Sequence, residues 1–366
     1  DTGVKKSFAT YNDAAIYVLG RSGGEGGDLS NAGTSSDNDT IGGDYLQLSE
    51  IEKGVLDKLV EEKKKGTFSK IVLLINSANA FNFDLINEYK GADKIDSCMW
   101  VGQPGAGGTP GIAKLIAGKS SPSGHLVDTY VYDNNSCPAM ENFYLNRYLN
   151  ATQYGLGGTK SAYTVYQEGI YVGYKYYETR YEDAVLNAKN VGNYDYSKTV
   201  AYPFGFGLSY TQFEFSNMNI KEDKTGDYEI SVDVTNIGSK PGRKAAQVYL
   251  QSPYTEYNKT NAIEKASVSL AGYEKTKILQ PGERQTLKII VDDQELKSYD
   301  ANGAKTYIRE AGDYYFALGN DSHDALNNIL EAKSQSGVNV DKSKMVDSLG
   351  KAGTGNSSLV KKISFS

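Results

Sequence analysis

Carboxylates are the residues best placed to do chemistry in this chain, because histidine and cysteine are scarce. The 366 residues include two histidines, His125 and His323, and two cysteines, Cys98 and Cys137, at spacings that match no metal-ligand pattern. These counts argue against Ser-His-Asp catalysis, Cys-His catalysis and the commoner zinc sites. We therefore look for acid-base chemistry by carboxyl groups, and we expect no metal and no cofactor.

One carboxylate stands out, Glu25 in the glycine-rich run GRSGGEGGD at positions 20–28. The run follows an apolar segment at 14–19 that predicts a strand, and doubly wound sheets bind ligands at such strand ends. It contains neither a G-x-G-x-x-G pattern leading into a helix nor G-K-[ST], so it predicts neither a dinucleotide site nor a P-loop. Its glycines would let a ligand approach Glu25 closely. On the residues alone, the alternative is that Glu25 is a solvated glutamate in a flexible turn.

The segments around this loop are predicted to be strands and helices in alternation. A capping box at 49–52 predicts a helix, apolar runs at 71–75 and 95–101 predict strands, and 111–117 predicts a short helix. Strands and helices in alternation indicate an α/β domain with a mostly parallel sheet sandwiched by helices. Trp100, near a predicted strand end, could stack on a sugar or lie buried under a helix.

The second half has a different organisation. A long insertion rich in Tyr and Asn covers 134–198, and after residue 210 the apolar residues alternate with polar ones, which predicts short strands. Several such strands separated by turns favour a β-sandwich. We predict an α/β domain at 1–212, a sandwich domain at 213–330, and a Ser, Gly and Lys-rich linker or tail at 331–366.

Five ordered stretches carry a resemblance to a known family. They are GRSGGEGGD at 20–28, WVGQPGAGG at 100–108, SPSGHL at 121–126, EGIYVGYKYY at 168–177 and YPFGFGLSY at 202–210. Together they resemble the family 3 glycoside hydrolases, whose fibronectin type III-like domain is similar to the stretch that follows, with KAAQVYL at 244–250 and LQPGE at 279–283. The resemblance implies an all-β, immunoglobulin-like second domain.

The resemblance also implies roles for individual residues. Glu25 corresponds to the family's general acid/base, while Asp28, Ser22 and Arg21 are candidate substrate-binding residues beside it. The arginine that usually follows the aspartate is Leu29 here, which puts a contact made by that arginine in doubt. The family's nucleophile is an aspartate on a (β/α)8 barrel, and a barrel needs roughly 250 residues that this chain does not offer.

The implied activity is that of a retaining, exo-acting β-glycosidase of the β-glucosidase type, for which this chain alone is catalytically incomplete. The expected partners are a β-glucoside or oligosaccharide substrate and the barrel domain, in cis or as a second chain. The segment at 321–330 resembles the junction in family members with reversed domain order, in which the barrel follows the sandwich. The alternative is a non-catalytic module that binds carbohydrate or serves a structural role.

Charge and hydropathy restrict the remaining partners. A formal net charge of -6 with scattered Lys and Arg gives no basic surface for nucleic acid. No window approaches 18 apolar residues, so we expect a soluble chain without membrane contact, in the bacterial cytoplasm or secreted. The sequence leaves a monomer and a homo-oligomer both open, and it does not identify the sugar or the linkage.

Overall fold

The computed structural model describes residues 2–21, 46–78, 80–83, 88–89, 91, 94–141, 146–147, 149–157, 162–163 and 165–366. The chain forms two compact units. The first comprises Asp1–Ile116 and Tyr130–Asn134, and the second comprises Ala117–Thr129 and Asn135–Ser366.

The first unit alternates helices and strands as the sequence predicts. Its elements are α1 (Thr2–Ser7), β1 (Ala14–Gly20), α2 (Glu50–Lys64), β2 (Lys70–Asn76), β3 (Ser97–Trp100), α3 (Gly105–Ile116) and β4 (Tyr130–Val131).

Strands β1, β2 and β3 form a parallel sheet in that order. Gly20 lies opposite Asn76 and Ile75 lies opposite Trp100, so the carboxyl ends of all three strands meet at one edge. In the central strand Ile71 and Ile75 are fully buried, as the apolar run predicts. The parallel α/β prediction is confirmed, and the sheet edge presents the start of the glycine-rich run.

Helix α2 starts at the capping box found in the sequence. The Ser49 side chain accepts a hydrogen bond from the backbone N–H of Glu52, and the Glu52 carboxylate accepts one from the Ser49 N–H. Leu56 and Val60 are buried against the sheet side of the unit, whereas Ile51 is 64% exposed. The sequence places Ile51, Val55, Leu56, Leu59 and Val60 in one apolar stripe, so the buried face of α2 is narrower than that stripe.

In the second unit, residues 117–129 precede the Tyr and Asn-rich insertion, which contains more helix than its composition indicates. The elements of the insertion and of the residues directly after it are α4 (Pro138–Glu141), β5 (Asn146–Arg147), β6 (Ala162–Tyr163), α5 (Tyr174–Val185), α6 (Tyr196–Thr199) and β7 (Val200–Tyr202). In α5 the buried residues Tyr177, Tyr181 and Val185 follow a helical spacing of four, so this segment of the insertion is a packed helix.

The rest of the second unit is a β-sandwich with added helices. Its elements are β8 (Phe213–Glu222), β9 (Tyr228–Asn236), β10 (Ala245–Gln251), α7 (Glu256–Thr260), β11 (Ser269–Lys275), β12 (Arg284–Val291), β13 (Ser298–Asp300), β14 (Thr306–Ile308), β15 (Gly312–Gly319), α8 (Ser322–Gln335) and β16 (Val360–Phe365).

Two antiparallel sheets, β11-β10-β15-β16 and β12-β9-β8, enclose the core of the sandwich. Residues of β9 alternate between buried and half-buried, as predicted. Every residue of β10 is buried, since α8 covers the sheet face that does not point into the core. The sandwich therefore has a second, helical layer on one side, to which α5 also belongs.

The C-terminal segment departs from the sequence-based prediction. Residues 331–366, predicted as a linker or tail, contain the end of α8 and the strand β16, which pairs with β15 from Gly312 to Ala317. Leu359 and Val360 are buried there. From Lys362 to Phe365 polar and apolar residues alternate, which is the period of a strand, although the Ser, Gly and Lys-rich composition favours a linker. The boundary predicted at residue 212 stays a prediction.

Candidate active site

The candidate site lies where the three parallel strands end. Of the four residues predicted for it, the structure describes Arg21, which directly follows β1, while Ser22, Glu25 and Asp28 lie outside the described residues. The Arg21 N–H donates to the Asn76 carbonyl across a distance of 3.0 Å. The pairing of β1 with β2 therefore extends one residue beyond β1, to Arg21 in the glycine-rich run.

The Arg21 guanidinium is held from several sides. It donates to both carboxylate oxygens of Glu52 at 2.5 and 2.7 Å, and to the carbonyls of Gln47 and Gly20 at 2.5 and 2.8 Å. Its Cζ lies over the Phe81 ring, 4.9 Å from the centroid. The side chain is 4% exposed. A bidentate pair of this kind fixes the orientation of both partners as well as their separation.

Glu52 connects this pair to helix α2. One of its oxygens accepts from Arg21 and also from the Ser49 N–H, so the same carboxylate caps the helix and binds the arginine. Burial alone would raise the pKa of Glu52, but the hydrogen bonds from Arg21 and Ser49 outweigh it and lower that pKa. Glu52 is therefore ionised at neutral pH, and the end of β1 is tied to the first turn of α2.

Trp100 lies at the end of β3, on the same sheet edge. Its indole N–H donates to the Ser77 carbonyl at 2.8 Å, and the ring is half-buried. Gly102 adopts a φ of +58°, and a Cβ there would lie 3.1 Å from the indole ring. Glycine at this position therefore leaves room for the indole ring and allows the left-handed backbone conformation of the turn.

The chain beyond β2 is bound to β4 (Tyr130–Val131) and to Asn134. The Asn82 side-chain oxygen accepts from the Asn134 N–H at 2.7 Å, and the Phe83 N–H donates to the Val131 carbonyl at 2.9 Å. The rings of Phe83 and Tyr130 meet edge to face at 5.2 Å. These contacts join the segment after β2 to β4 and the residues that follow it, within the first unit.

Sequence reasoning found Arg21 and the Ser49–Glu52 capping box as separate features and missed their connection. The two residues of the ion pair lie 31 positions apart, so no local pattern could have signalled it. Among the described residues, no group of three or more His, Cys, Asp or Glu side chains is arranged to hold a metal ion. No helix in the described part of the chain has the length and apolar character needed to cross a membrane.

Fold and site together define a chain in which a parallel α/β domain, with a glycine-flanked carboxylate following its first strand, precedes an immunoglobulin-like β-sandwich. Comparison with known proteins agrees with that class. Residues 2–174 match the glycosyl hydrolase family 3 C-terminal domain, and residues 244–322 match the fibronectin type III-like domain. The chain belongs to glycoside hydrolase family 3.

The relatives are similar over most of the chain. A β-glucosidase of Ruminococcus albus is 34% identical over 356 residues, which cover 96% of this chain and 31% of the relative. β-Glucosidase A of Butyrivibrio fibrisolvens is 30% identical, with 86% of this chain and 37% of the relative covered. The crystal structure of a β-glucosidase from Paenibacillus barengoltzii matches with a TM-score of 0.67 and 29% identity, over 87% of this chain and 30% of that one. The chain therefore spans about a third of the length of these relatives.

Proposed function

We propose that this chain is part of a retaining, exo-acting β-glycosidase that hydrolyses terminal non-reducing β-D-glucosyl residues. The observation that carries the proposal is the match to the R. albus β-glucosidase, which includes 96% of this chain but 31% of the relative. A match of this kind supports a role as one part of a larger glucosidase. The sugar in the site is open to test, since the described residues carry no contact that selects glucose.

In this proposal Glu25 is the general acid/base. A retaining glycosidase uses two carboxyl groups roughly 5–5.5 Å apart, one attacking the anomeric carbon and the other protonating the leaving oxygen. The protonating carboxyl must have a raised pKa, which requires loss of solvent or a neighbouring carboxylate. Glu25 follows Arg21 by four residues, so the ordered end of β1 supports its placement at the sheet edge.

The other three residues have different parts in the proposal. Ser22 and Asp28 flank Glu25 in the run and are proposed to hydrogen-bond the substrate. Direct substrate contact by Arg21 stays a prediction, and the 4% exposure of its side chain favours a positioning role. Its hydrogen bonds to Glu52 would hold the first residue of the loop, so that the loop starts from one fixed point.

We further propose that the nucleophile is an aspartate on a (β/α)8 barrel, in the same polypeptide or in a second chain. Without it, no carboxylate attacks the anomeric carbon, and no neighbouring charge raises the pKa of Glu25. Both halves of the double displacement then fail. The chain of 366 residues alone is accordingly expected to bind sugar weakly and to hydrolyse none.

The test is an assay of 4-nitrophenyl β-D-glucoside hydrolysis by the 366-residue chain, alone and with the barrel-bearing part of the protein. We expect no turnover above buffer for the chain alone and turnover when the barrel is present. Hydrolysis at full rate by the chain alone would contradict the divided site. Absence of turnover in both samples, with sugar binding retained, would favour the alternative of a non-catalytic carbohydrate-binding module.

A further inference from the structure

The second unit contains a cleft that the glucosidase proposal does not use. Its volume is about 840 Å³, and it is bordered by α5, by the residues after β10, and by Lys333 of α8. Ligand pockets typically measure roughly 300–1,000 Å³. The cleft therefore has room for a ligand of the size of a short oligosaccharide.

Gln251 supplies a hydrogen-bond acceptor to this cleft. Its side-chain NH2 donates to both oxygens of Glu182 at 3.1 Å and to the Ser267 carbonyl at 2.6 Å, which fixes the orientation of the amide. The residue lines the cleft and is 4% exposed, and its Oε1 has no partner among the described residues. A buried amide oxygen without a partner costs free energy until a ligand or a water donates to it.

Arg180 supplies a donor. Its two terminal nitrogens donate to the carbonyls of Asn190 and Val191 at 3.0 and 2.5 Å, and the guanidinium lies 5.7 Å from the Tyr194 ring centroid. The remaining Nε–H is buried and has no partner within the described part of the chain. Two residues that line the cleft thus carry an unpartnered donor and an unpartnered acceptor, a combination that sugar hydroxyls can satisfy because each hydroxyl both donates and accepts.

Asp183 adds a carboxylate to the same wall. It lies in the last turn of α5, where the helix dipole disfavours a negative charge. Its carboxylate accepts no hydrogen bond from the described residues, and burial together with the neighbouring Glu182 raises its pKa. An acidic residue in so unfavourable a position lowers the stability of the free chain, which is typical of residues retained for binding.

The charges and rings of the cleft favour a neutral ligand. Three cationic side chains face four anionic ones, and Lys333 is paired with Glu182 at 2.8 Å. Four tyrosines line the walls, Tyr171, Tyr176, Tyr254 and Tyr315. Tyrosine rings present an apolar face with a polar rim, which suits the C–H face of a pyranose ring.

We propose that this cleft is a second carbohydrate site, which binds a short neutral oligosaccharide through Gln251, Arg180 and Asp183 and stacks it on tyrosine. The site goes beyond the proposed hydrolytic function and does not depend on Glu25. It would hold a segment of a glycan chain, or a free oligosaccharide, without cleaving it.

The test is a calorimetric titration of the full 366-residue chain with cellotriose, and with trigalacturonate as an anionic trisaccharide. We expect cellotriose to bind and trigalacturonate to bind at least about fivefold more weakly, since the anionic groups of the cleft repel it. Tyr254→Ala and Asp183→Ala should each weaken cellotriose binding by about fivefold or more. Asp183→Ala should leave the melting temperature equal or higher, which a merely structural role would not do.

Two control variants lie outside the cleft. Tyr273→Ala removes a 68% exposed ring from β11, and Glu214→Ala removes an exposed carboxylate from β8. Both should bind cellotriose like the unmodified chain. No binding of cellotriose, or equal binding by Tyr254→Ala, Asp183→Ala and the controls, would overturn the proposal. Binding that is lost in Glu25→Gln but kept in Tyr254→Ala would place the sugar at the glycine-rich loop, overturning the cleft site while supporting the proposed function.

Discussion

At the scale of single residues, the ion pair Arg21–Glu52 connects the carboxyl end of β1 to the first turn of α2. Glu52 has two tasks, since it caps α2 and binds the arginine that starts the glycine-rich run. A glutamine at this position could still cap the helix, because capping boxes accept Glu or Gln. The contribution of the ion pair can therefore be separated from that of the cap.

We expect Glu52→Gln to lower the free energy of unfolding of the first unit by about 2 kcal/mol. Loss of one partner of a fully buried pair costs roughly 3–5 kcal/mol. Glu52 keeps 17% of its side chain in solvent, which reduces that value. The measurement is urea unfolding followed by fluorescence of Trp100, the single tryptophan, which lies in this unit.

The matched control is Glu88→Gln, which removes a carboxylate from an ion pair with Lys53 in which the glutamate is 56% exposed. Exposed pairs contribute little to stability, so no measurable change is expected. Equal effects of the two substitutions would show that Arg21 is not held by Glu52 in the way described.

The two histidines have opposite electrostatic environments. His323 is fully buried, with Nδ1 at 2.8 Å from a Glu178 oxygen and Nε2 at 2.9 Å from the Val346 carbonyl. A carbonyl and a carboxylate only accept hydrogen bonds, so both ring nitrogens carry protons. Burial alone would lower the pKa of His323, but Glu178 and the nearby Asp321 raise it.

For His125, burial and the charge of Lys244 lower the pKa to about 4, against one opposing hydrogen bond to Gly205.

These shifts predict the pH dependence of stability. An unperturbed histidine has a pKa of about 6.5. The stabilisation from His323 is fully present below about pH 6.5 and is lost as pH rises through its raised folded pKa. Between about pH 4 and 6.5 the unfolded state binds a proton at His125 that the folded state does not, so that residue makes stability rise with pH.

The measurement is 15N-edited NMR of the two imidazoles from pH 5 to 8. We expect His323 to lose its charge at a higher pH than an unperturbed histidine, and His125 to stay neutral at pH 5.5. His323→Gln should reduce the loss of thermal stability above neutral pH. A His323 that titrates below 6.5 would refute the charged pair.

At the scale of elements, the structure shows which sequence patterns predict a helix or a strand correctly. The strand at 71–75, the capping box of α2 and the alternation along β9 could be read from the sequence, because each depends on neighbouring residues alone. The helix α5 and the strand β16 could not. Their burial depends on α8 and β15, which are distant in sequence, and their composition is that of polar connecting segments.

Strand β16 provides a test at this scale. Leu359, which precedes it and is 8% exposed, packs into the sandwich core. We expect Leu359→Ala to lower the free energy of unfolding of the second unit by about 2–3 kcal/mol, through lost burial and a cavity. Far-UV circular dichroism in urea measures this change. Lys362→Ala, on the exposed face of β16, should leave the free energy of unfolding unchanged. Equally small effects of the two substitutions would show that residues 357–366 form a tail that does not contribute to the core.

At the scale of the whole molecule, the family could be recognised from sequence because each of its motifs is a run of neighbouring residues. The Arg21–Glu52 pair and the tyrosine-lined cleft could not be foreseen, since their residues come from segments 31 to 151 positions apart. The proposed role of Glu25 rests on the motif and on the ordered strand end before it. The nucleophile is proposed to lie in the part of the relatives that this chain does not cover.

The most direct test of the proposed divided active site is azide rescue in a protein that contains both this chain and the proposed barrel. We predict that Glu25→Ala lowers kcat on 4-nitrophenyl β-D-glucoside by about 10²–10⁴-fold, the usual contribution of a general acid/base. Added azide should restore the rate and yield β-glucosyl azide, because a glucosyl-enzyme formed on the barrel aspartate is attacked from the face that Glu25 serves. Formation of α-glucosyl azide would assign Glu25 as the nucleophile, and an unchanged kcat would exclude it from the chemistry; either result contradicts the account.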